Sequence, residues 1–177
     1  MLNGSVRMAA LGAALALAAV PCAAQPSLDW PRRSITLQAG GMVTDYYDDA
    51  TAPMGALRAD WRLRNWLRSE VGASYARAES GTQGAVNVAG VAVAIQAELP
   101  TNLVRPYVGL GMGIHGTFEP EGGDRYFGPS NQAMAGLRVR LTDRVGLRGE
   151  LRYRMDAGQS GGYADNMEMT GGLSWRF

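Results

Sequence analysis

Met167-Glu168-Met169-Thr170-Gly171-Gly172-Leu173-Ser174-Trp175-Arg176-Phe177 is the stretch that decides the fold. Apolar residues or Gly stand at every odd position, and Glu, Thr, Gly, Ser and Arg at the even ones. Successive side chains of a strand point to opposite faces, so this segment has one apolar and one polar face. A helix would wrap that period around its axis and lose both faces. The segment also stops on an aromatic residue, Phe177.

The same pattern recurs upstream. Reading for period two gives strands at Ser34–Thr44, Met54–Leu63, Leu67–Arg77, Ala85–Leu99, Val104–His115, Gln132–Leu141 and Val145–Met155, ahead of the last one. The seventh is the sharpest: Val145, Leu147, Leu151, Tyr153 and Met155 alternate with Arg148, Glu150, Arg152 and Arg154. In the fourth, Val86 and Val88 have the opposite parity to Val91, Val93 and Ile95, which predicts a bulge near Gly90. Connections alternate long (Asp45–Pro53, Ala78–Gly84, Gly116–Asn131, Asp156–Asp165) and short (Arg64–Trp66, Pro100–Leu103, Thr142–Arg144). Long outer loops and short inner turns in that order belong to an up-and-down barrel that crosses a membrane with strands of about ten residues.

A soluble eight-stranded ligand carrier would hide its apolar face inside and show its charges. Here the face bearing Arg and Glu also bears most of the glycines, notably Gly109, Gly111 and Gly113. Glycine relieves crowding inside a small barrel, so the charged face is the inner one. Trp61, Tyr75, Tyr153, Trp175 and Phe177 fall on the outer face toward strand ends, as interfacial girdles require. The fold expected is an all-β, eight-stranded antiparallel up-and-down transmembrane β-barrel.

The first residues point to export. Arg7 precedes an uncharged run from Met8 to Val20, which is too short for a membrane-spanning helix, and Pro21 leads into Cys22-Ala23-Ala24. The expectation is a signal peptide at 1–24 cleaved before Gln25, a periplasmic leader at 25–33, and a barrel at 34–177. Pro21 directly before Cys22 argues against a lipoprotein acylated at that cysteine. Removing residues 1–24 leaves no cysteine for a disulfide or a thiol nucleophile, and 16 arginines against 16 acidic residues. All 17 basic residues of the 177-residue chain are arginine and mean hydropathy is −0.13. No basic patch with interleaved aromatics is present, so nucleic acid is not an expected partner.

Arg105-Pro106-Tyr107-Val108-Gly109-Leu110-Gly111-Met112-Gly113 resembles the Pro-Tyr-x-Gly-x-Gly-x-Gly strand of the small outer-membrane β-barrel family that includes OmpA-like and OmpX/Ail-like proteins. Gly171 to Phe177 resembles that family's closing strand. The resemblance covers residues 34–177 and implies a bacterial outer-membrane location. Gly171, Leu173, Trp175 and Phe177 are the expected assembly signal, read by the barrel assembly machinery. No peptidoglycan-binding domain is expected after Phe177, unlike in full-length OmpA-like proteins. The family includes anchors, adhesins and lipid A-modifying enzymes, so fold alone leaves activity open.

Three functions follow from the inner and outer surfaces. By parity Arg58, Arg62, Arg68, Arg138, Arg140, Arg148, Arg152, Arg154 and Arg176 face the lumen with Asp60, Glu70, Glu98, Glu150 and Glu168. Ions in so narrow a space must pair or reach water. A salt-bridged plug is therefore expected, and a narrow anion-preferring pore is the alternative. The short turns set a register in which Arg62 faces Arg68, Asp60 faces Glu70 and Arg138 faces Arg148. Diagonal pairs Arg62–Glu70, Asp60–Arg68 and Arg138–Glu150 are expected to relieve that repulsion. His115, the one histidine, lies near Thr117, and a lipid A hydrolase would need such a group facing lipid with hydrogen-bonded partners. Parity instead points His115 into the barrel. One histidine without cysteine makes neither a metal site nor a cofactor site.

Acidic residues dominate the long connections: Asp45, Asp48, Asp49, Glu79, Glu119, Glu121, Asp124, Asp156 and Asp165 stand against Arg77 and Arg125. They are candidates for an unidentified extracellular ligand or for cation bridges to lipopolysaccharide. The reading as a whole is a monomeric, non-enzymatic barrel with a structural or surface-interaction role. Its partners are outer-membrane lipid and lipopolysaccharide.

Overall fold

The computed structural model describes Trp30 and residues 32–44, 50–80, 84–118, 125–157 and 162–177. Eight strands fill almost all of it: β1 Arg33–Thr44, β2 Ala50–Arg64, β3 Leu67–Ser80, β4 Gly84–Glu98, β5 Val104–Phe118, β6 Arg125–Arg140, β7 Val145–Ala157 and β8 Tyr163–Arg176. Each pairs antiparallel with the next, and β8 returns to β1, giving a closed barrel. The seam continues past β8, where the Phe177 N–H donates to the Arg33 carbonyl (3.1 Å) and the Arg33 N–H to the Phe177 carbonyl (3.3 Å). Closure leaves no strand edge to satisfy in lipid.

Polarity is inverted relative to a soluble domain. Leu37, Leu57, Val91, Ile95, Leu110, Met112 and Met169 are exposed on the outside, while arginines, glutamates and glutamines are buried inside. Trp61, Trp66, Trp175 and Phe177 stand exposed at the short-turn end and Tyr75 toward the other. The glycines expected inside do sit against a neighbouring wall. A Cβ added at Gly111 would lie 2.7 Å from the Val93 carbonyl oxygen and 2.9 Å from the Ala94 Cβ.

Three sequence expectations are corrected. The register of β4 runs unbroken through Gly90 on both sides, Ser74↔Gly90 and Gly90↔His115, so no bulge lies there. Val86 and Val88 simply point inward, packing with Met42, Ala52, Met54, Ala76 and Ala78 into an apolar cluster at the long-loop end of β1–β4. The irregularity falls instead at Arg62/Arg64, beside the turn into β3.

Second, the strands run past the expected boundaries at the long-loop end. β2 begins at Ala50 rather than Met54, β6 at Arg125 rather than Gln132, and β8 at Tyr163 rather than Met167. Backbone pairing continues there although the outer face is no longer apolar. The connections become 45–49, 81–83, 119–124 and 158–162 against 65–66, 99–103 and 141–144, so the long/short alternation is lost at 81–83, which is shorter than two of the turns at the other end. Third, Asp156 belongs to β7 and is fully buried in the lumen, not in a loop.

Candidate functional site

Strand parity delivers the lumenal side chains, and three tiers of them fill the interior. At the short-turn end Asp60 accepts from the Ser34 hydroxyl (2.6 Å) and from Arg68 (2.5 Å). Glu98 collects three guanidiniums from three strands: Arg68 at 3.0 Å, Arg105 at 2.9 Å and Arg138 at 3.3 Å. Arg138 also donates to Gln96.

The middle tier is the densest. Glu70 on β3 meets Arg148 at 2.5 Å and Arg152 at 2.8 Å, both on β7, and accepts from Gln96 Nε2 at 2.8 Å. Glu150 holds the same two arginines and also accepts from the Tyr107 hydroxyl at 2.7 Å. That hydroxyl in turn accepts from Arg148 Nε at 2.8 Å. The Tyr107 ring stacks under Arg138, 4.2 Å from ring centre to guanidinium carbon. Gly136 makes room for it, since a Cβ there would lie 2.5 Å from the Tyr107 oxygen.

At the long-loop end Arg154 bridges Glu168 and Asp156, each at 2.6 Å, and Asn166 donates to Asp156 at 2.8 Å. His115 is buried with its Nδ1 3.6 Å from Asp156. Arg58 approaches Glu168 at 3.6 Å. A small enclosed cavity of about 10 Å³, room for roughly one water, lies among Arg58, Ser130, Gln132 and Glu168.

Of the residues expected in the lumen, Arg58, Asp60, Arg68, Glu70, Glu98, Arg138, Arg148, Glu150, Arg152, Arg154, Glu168 and Arg176 are buried. Arg62 and Arg140 are only half-buried at the short-turn end, where Arg140 pairs with Asp143 of the turn. The opposed pairs Arg62↔Arg68, Asp60↔Glu70 and Arg138↔Arg148 all occur in the ladder. Of the diagonal partners, Asp60 and Arg68 meet. Arg138 turns to Glu98 instead, and Glu150 is taken by Arg148 and Arg152 along its own strand. Arg105, Tyr107, Gln96 and Asp156 complete the network; strand parity also places Arg105, Tyr107 and Gln96 inward, whereas the sequence reading places Asp156 in a loop. The buried ionised groups thus number eight arginines and six carboxylates among the described residues. Among those residues no cluster of His, Cys, Asp and Glu suits a metal ion.

The outer membrane protein beta-barrel domain model matches residues 12–177. The chain belongs to that family. It is a protein of the bacterial outer membrane. Among solved structures it is similar to Neisserial surface protein A (NspA), with a TM-score of 0.73 at 16% identity over 82% of this chain and 97% of the other. The outer membrane enzyme PagL gives 0.56 at 13% identity, covering 80% and 99%. The N-terminal β-barrel domain of Pseudomonas aeruginosa OprF gives 0.52 at 16%, covering 81% and 97%. Identities this low establish the fold alone. Comparison with curated protein sequences gives no match.

Proposed function

We propose that this protein is a monomeric, non-conducting and non-enzymatic barrel that acts through its outer surface as a structural or interaction element of the envelope. The observation that carries this reading is the pair of bridges from Glu70 on β3 to Arg148 and Arg152 on β7, which lie four strands away around an eight-strand ring. A lumen crossed by such bridges has its charges satisfied by protein rather than by passing ions. The outer apolar band contacts membrane lipid, and lipopolysaccharide lies around the long-loop end. The acidic loop residues Asp45, Asp48, Asp49, Glu119, Glu121 and Asp124 are candidates for an extracellular ligand, and they lie outside the described residues.

A lipid A-modifying hydrolase would need its reacting groups where acyl chains lie. Burial of His115 inside the lumen beside Asp156 supports the non-enzymatic reading. A small anion-preferring pore is the second reading, favoured by the excess of buried arginine over buried carboxylate. Planar-bilayer recording and lipid A mass spectra from cells with and without the protein separate the three. A large steady conductance would reject the scaffold in favour of the pore, and a changed acylation pattern would reject it in favour of the enzyme.

A further inference from the structure

The short-turn end of the lumen is closed by Trp30, which precedes β1 and is 1% exposed. Its indole N–H donates to the Asn102 carbonyl at 3.1 Å. Two guanidiniums stack on the same ring, Arg105 at 4.4 Å and Arg176 at 4.2 Å. Cation–π contact stabilises a cation without neutralising it.

Charge at this end is unbalanced. Arg68, Arg105, Arg138 and Arg176 are buried there against the two buried carboxylates Asp60 and Glu98, while half-buried Arg140 is paired with Asp143 of the turn. Glu98 is shared by three of these arginines. Arg176 gives one hydrogen bond to the Val139 carbonyl at 3.2 Å and feels Arg68, Arg140 and Arg138 as like charges, with Asp60 as the opposing one. Buried N–H groups on Arg105 (Nη2), Arg140 (Nη1) and Arg176 (Nη1) have no hydrogen-bond partner among the described residues. Gly146 keeps the space in which Arg176 lies, since a Cβ there would fall 2.1 Å from its Nη2. Arg105 is paired with Glu98 and Arg140 with Asp143, so Arg176 is the guanidinium here with no carboxylate partner among the described residues. Such a buried cation is costly, and its planar fork of donors matches the oxygens of phosphate. An anion seated among these donors removes that cost.

We propose that this mouth is an oxyanion-binding site in which Arg176, helped by Arg140, holds one phosphate group beside Trp30. The short-turn end is periplasmic in outer-membrane barrels. The group therefore comes either from free phosphate or from an anionic phospholipid headgroup of the inner leaflet.

The test uses the full chain refolded in neutral, phosphate-free detergent, with folding verified by heat-modifiable migration. Inorganic phosphate is titrated at low ionic strength while tryptophan emission is followed. The Trp30→Phe variant identifies the part of the signal due to Trp30 rather than Trp61, Trp66 or Trp175. A saturable Trp30-dependent change is expected, weakened about tenfold in Arg176→Gln by loss of a charge-assisted hydrogen bond. It is expected to be unaltered in Arg64→Gln, an exposed arginine at the same end. Should Arg176→Gln not fold, Arg140→Gln, altering a half-buried side chain, gives the same reading. In a second arm, nanodiscs of phosphatidylcholine with or without phosphatidylglycerol replace free phosphate. A Trp30 response to phosphatidylglycerol alone assigns the site to a headgroup, and one to phosphate assigns it to the free ion. No Trp30-dependent response in either arm would overturn the proposal, as would equal weakening by Arg64→Gln.

Discussion

Glu70 on β3 and Arg152 on β7 meet at 2.8 Å although their strands stand on opposite walls of the barrel. Glu150 holds the same arginine from the same wall, also at 2.8 Å, so each guanidinium of the middle tier is divided between a near and a far carboxylate. Removing either carboxylate strands buried charge in the interior.

Glu150→Gln tests that division. Arg148 and Arg152 each lose one of their two carboxylates, and breaking a buried pair from one side costs about 3–5 kcal/mol. The variant is expected to lose its folded, fast-migrating form at a lower temperature than wild type, and to show intermittent anion leak in planar bilayers. An unchanged melting point would reject the network as a stabilising unit.

Tyr107→Phe and Gly136→Ala probe one contact from its two sides. The first removes a hydroxyl that donates to Glu150 and accepts from Arg148 but keeps the ring under Arg138. A loss of about 1–3 kcal/mol is expected. The second forces a methyl to 2.4 Å from the Gly149 carbonyl oxygen as well as onto the Tyr107 hydroxyl. Because backbone yields less than a side-chain tip, Gly136→Ala is expected to be the more damaging. Urea titration of both variants in the same detergent ranks them, and the reverse order would contradict the packing described.

Trp175→Asp and deletion of Phe177 address assembly. Trp175 faces outward near the short-turn end, where a charge on the lipid face costs no more than about 1 kcal/mol. If the terminal strand is read by the assembly machinery, both variants accumulate as periplasmic aggregates in cells. Trp175→Asp nevertheless refolds in vitro with a melting point near that of wild type. Normal insertion in cells would sink the assembly role of Gly171, Leu173, Trp175 and Phe177.

N-terminal mass spectrometry of protein from outer-membrane fractions is expected to find Gln25 as the first residue. A chain retaining residues 1–24, or one carrying a diacylglyceryl group on Cys22, would overturn the processing expectation.

Which face of each strand turns inward was legible in the sequence wherever lipid contact enforces an apolar outer face, as along Val145–Met155. Above the membrane that constraint lapses. Arg125–Asn131 extend β6 with Arg125, Phe127, Pro129 and Asn131 outward, a series with no period-two hydropathy to detect. Val86 and Val88 misled for a related reason, since at that end the inner face packs on itself as an apolar cluster rather than carrying charge. Partner choice was the least legible. Register fixes neighbours along two strands, but a guanidinium reaches beyond them: Arg138 on β6 finds Glu98 on β4, and Glu70 finds β7. Trp30, the stopper of one mouth, lies before the first strand, where no periodicity draws attention to it.

A backbone ladder can grow strand by strand in an open sheet, each new edge satisfied as it arrives. The bridges from Glu70 to Arg148 and Arg152 cannot, because β3 and β7 face each other only when the sheet between them has curled into its ring. Until then the central acids and bases sit on separate stretches of sheet and need water or a chaperoning environment. Ring closure and desolvation of the interior are therefore a single cooperative event, and a half-zipped barrel is penalised by its own charges.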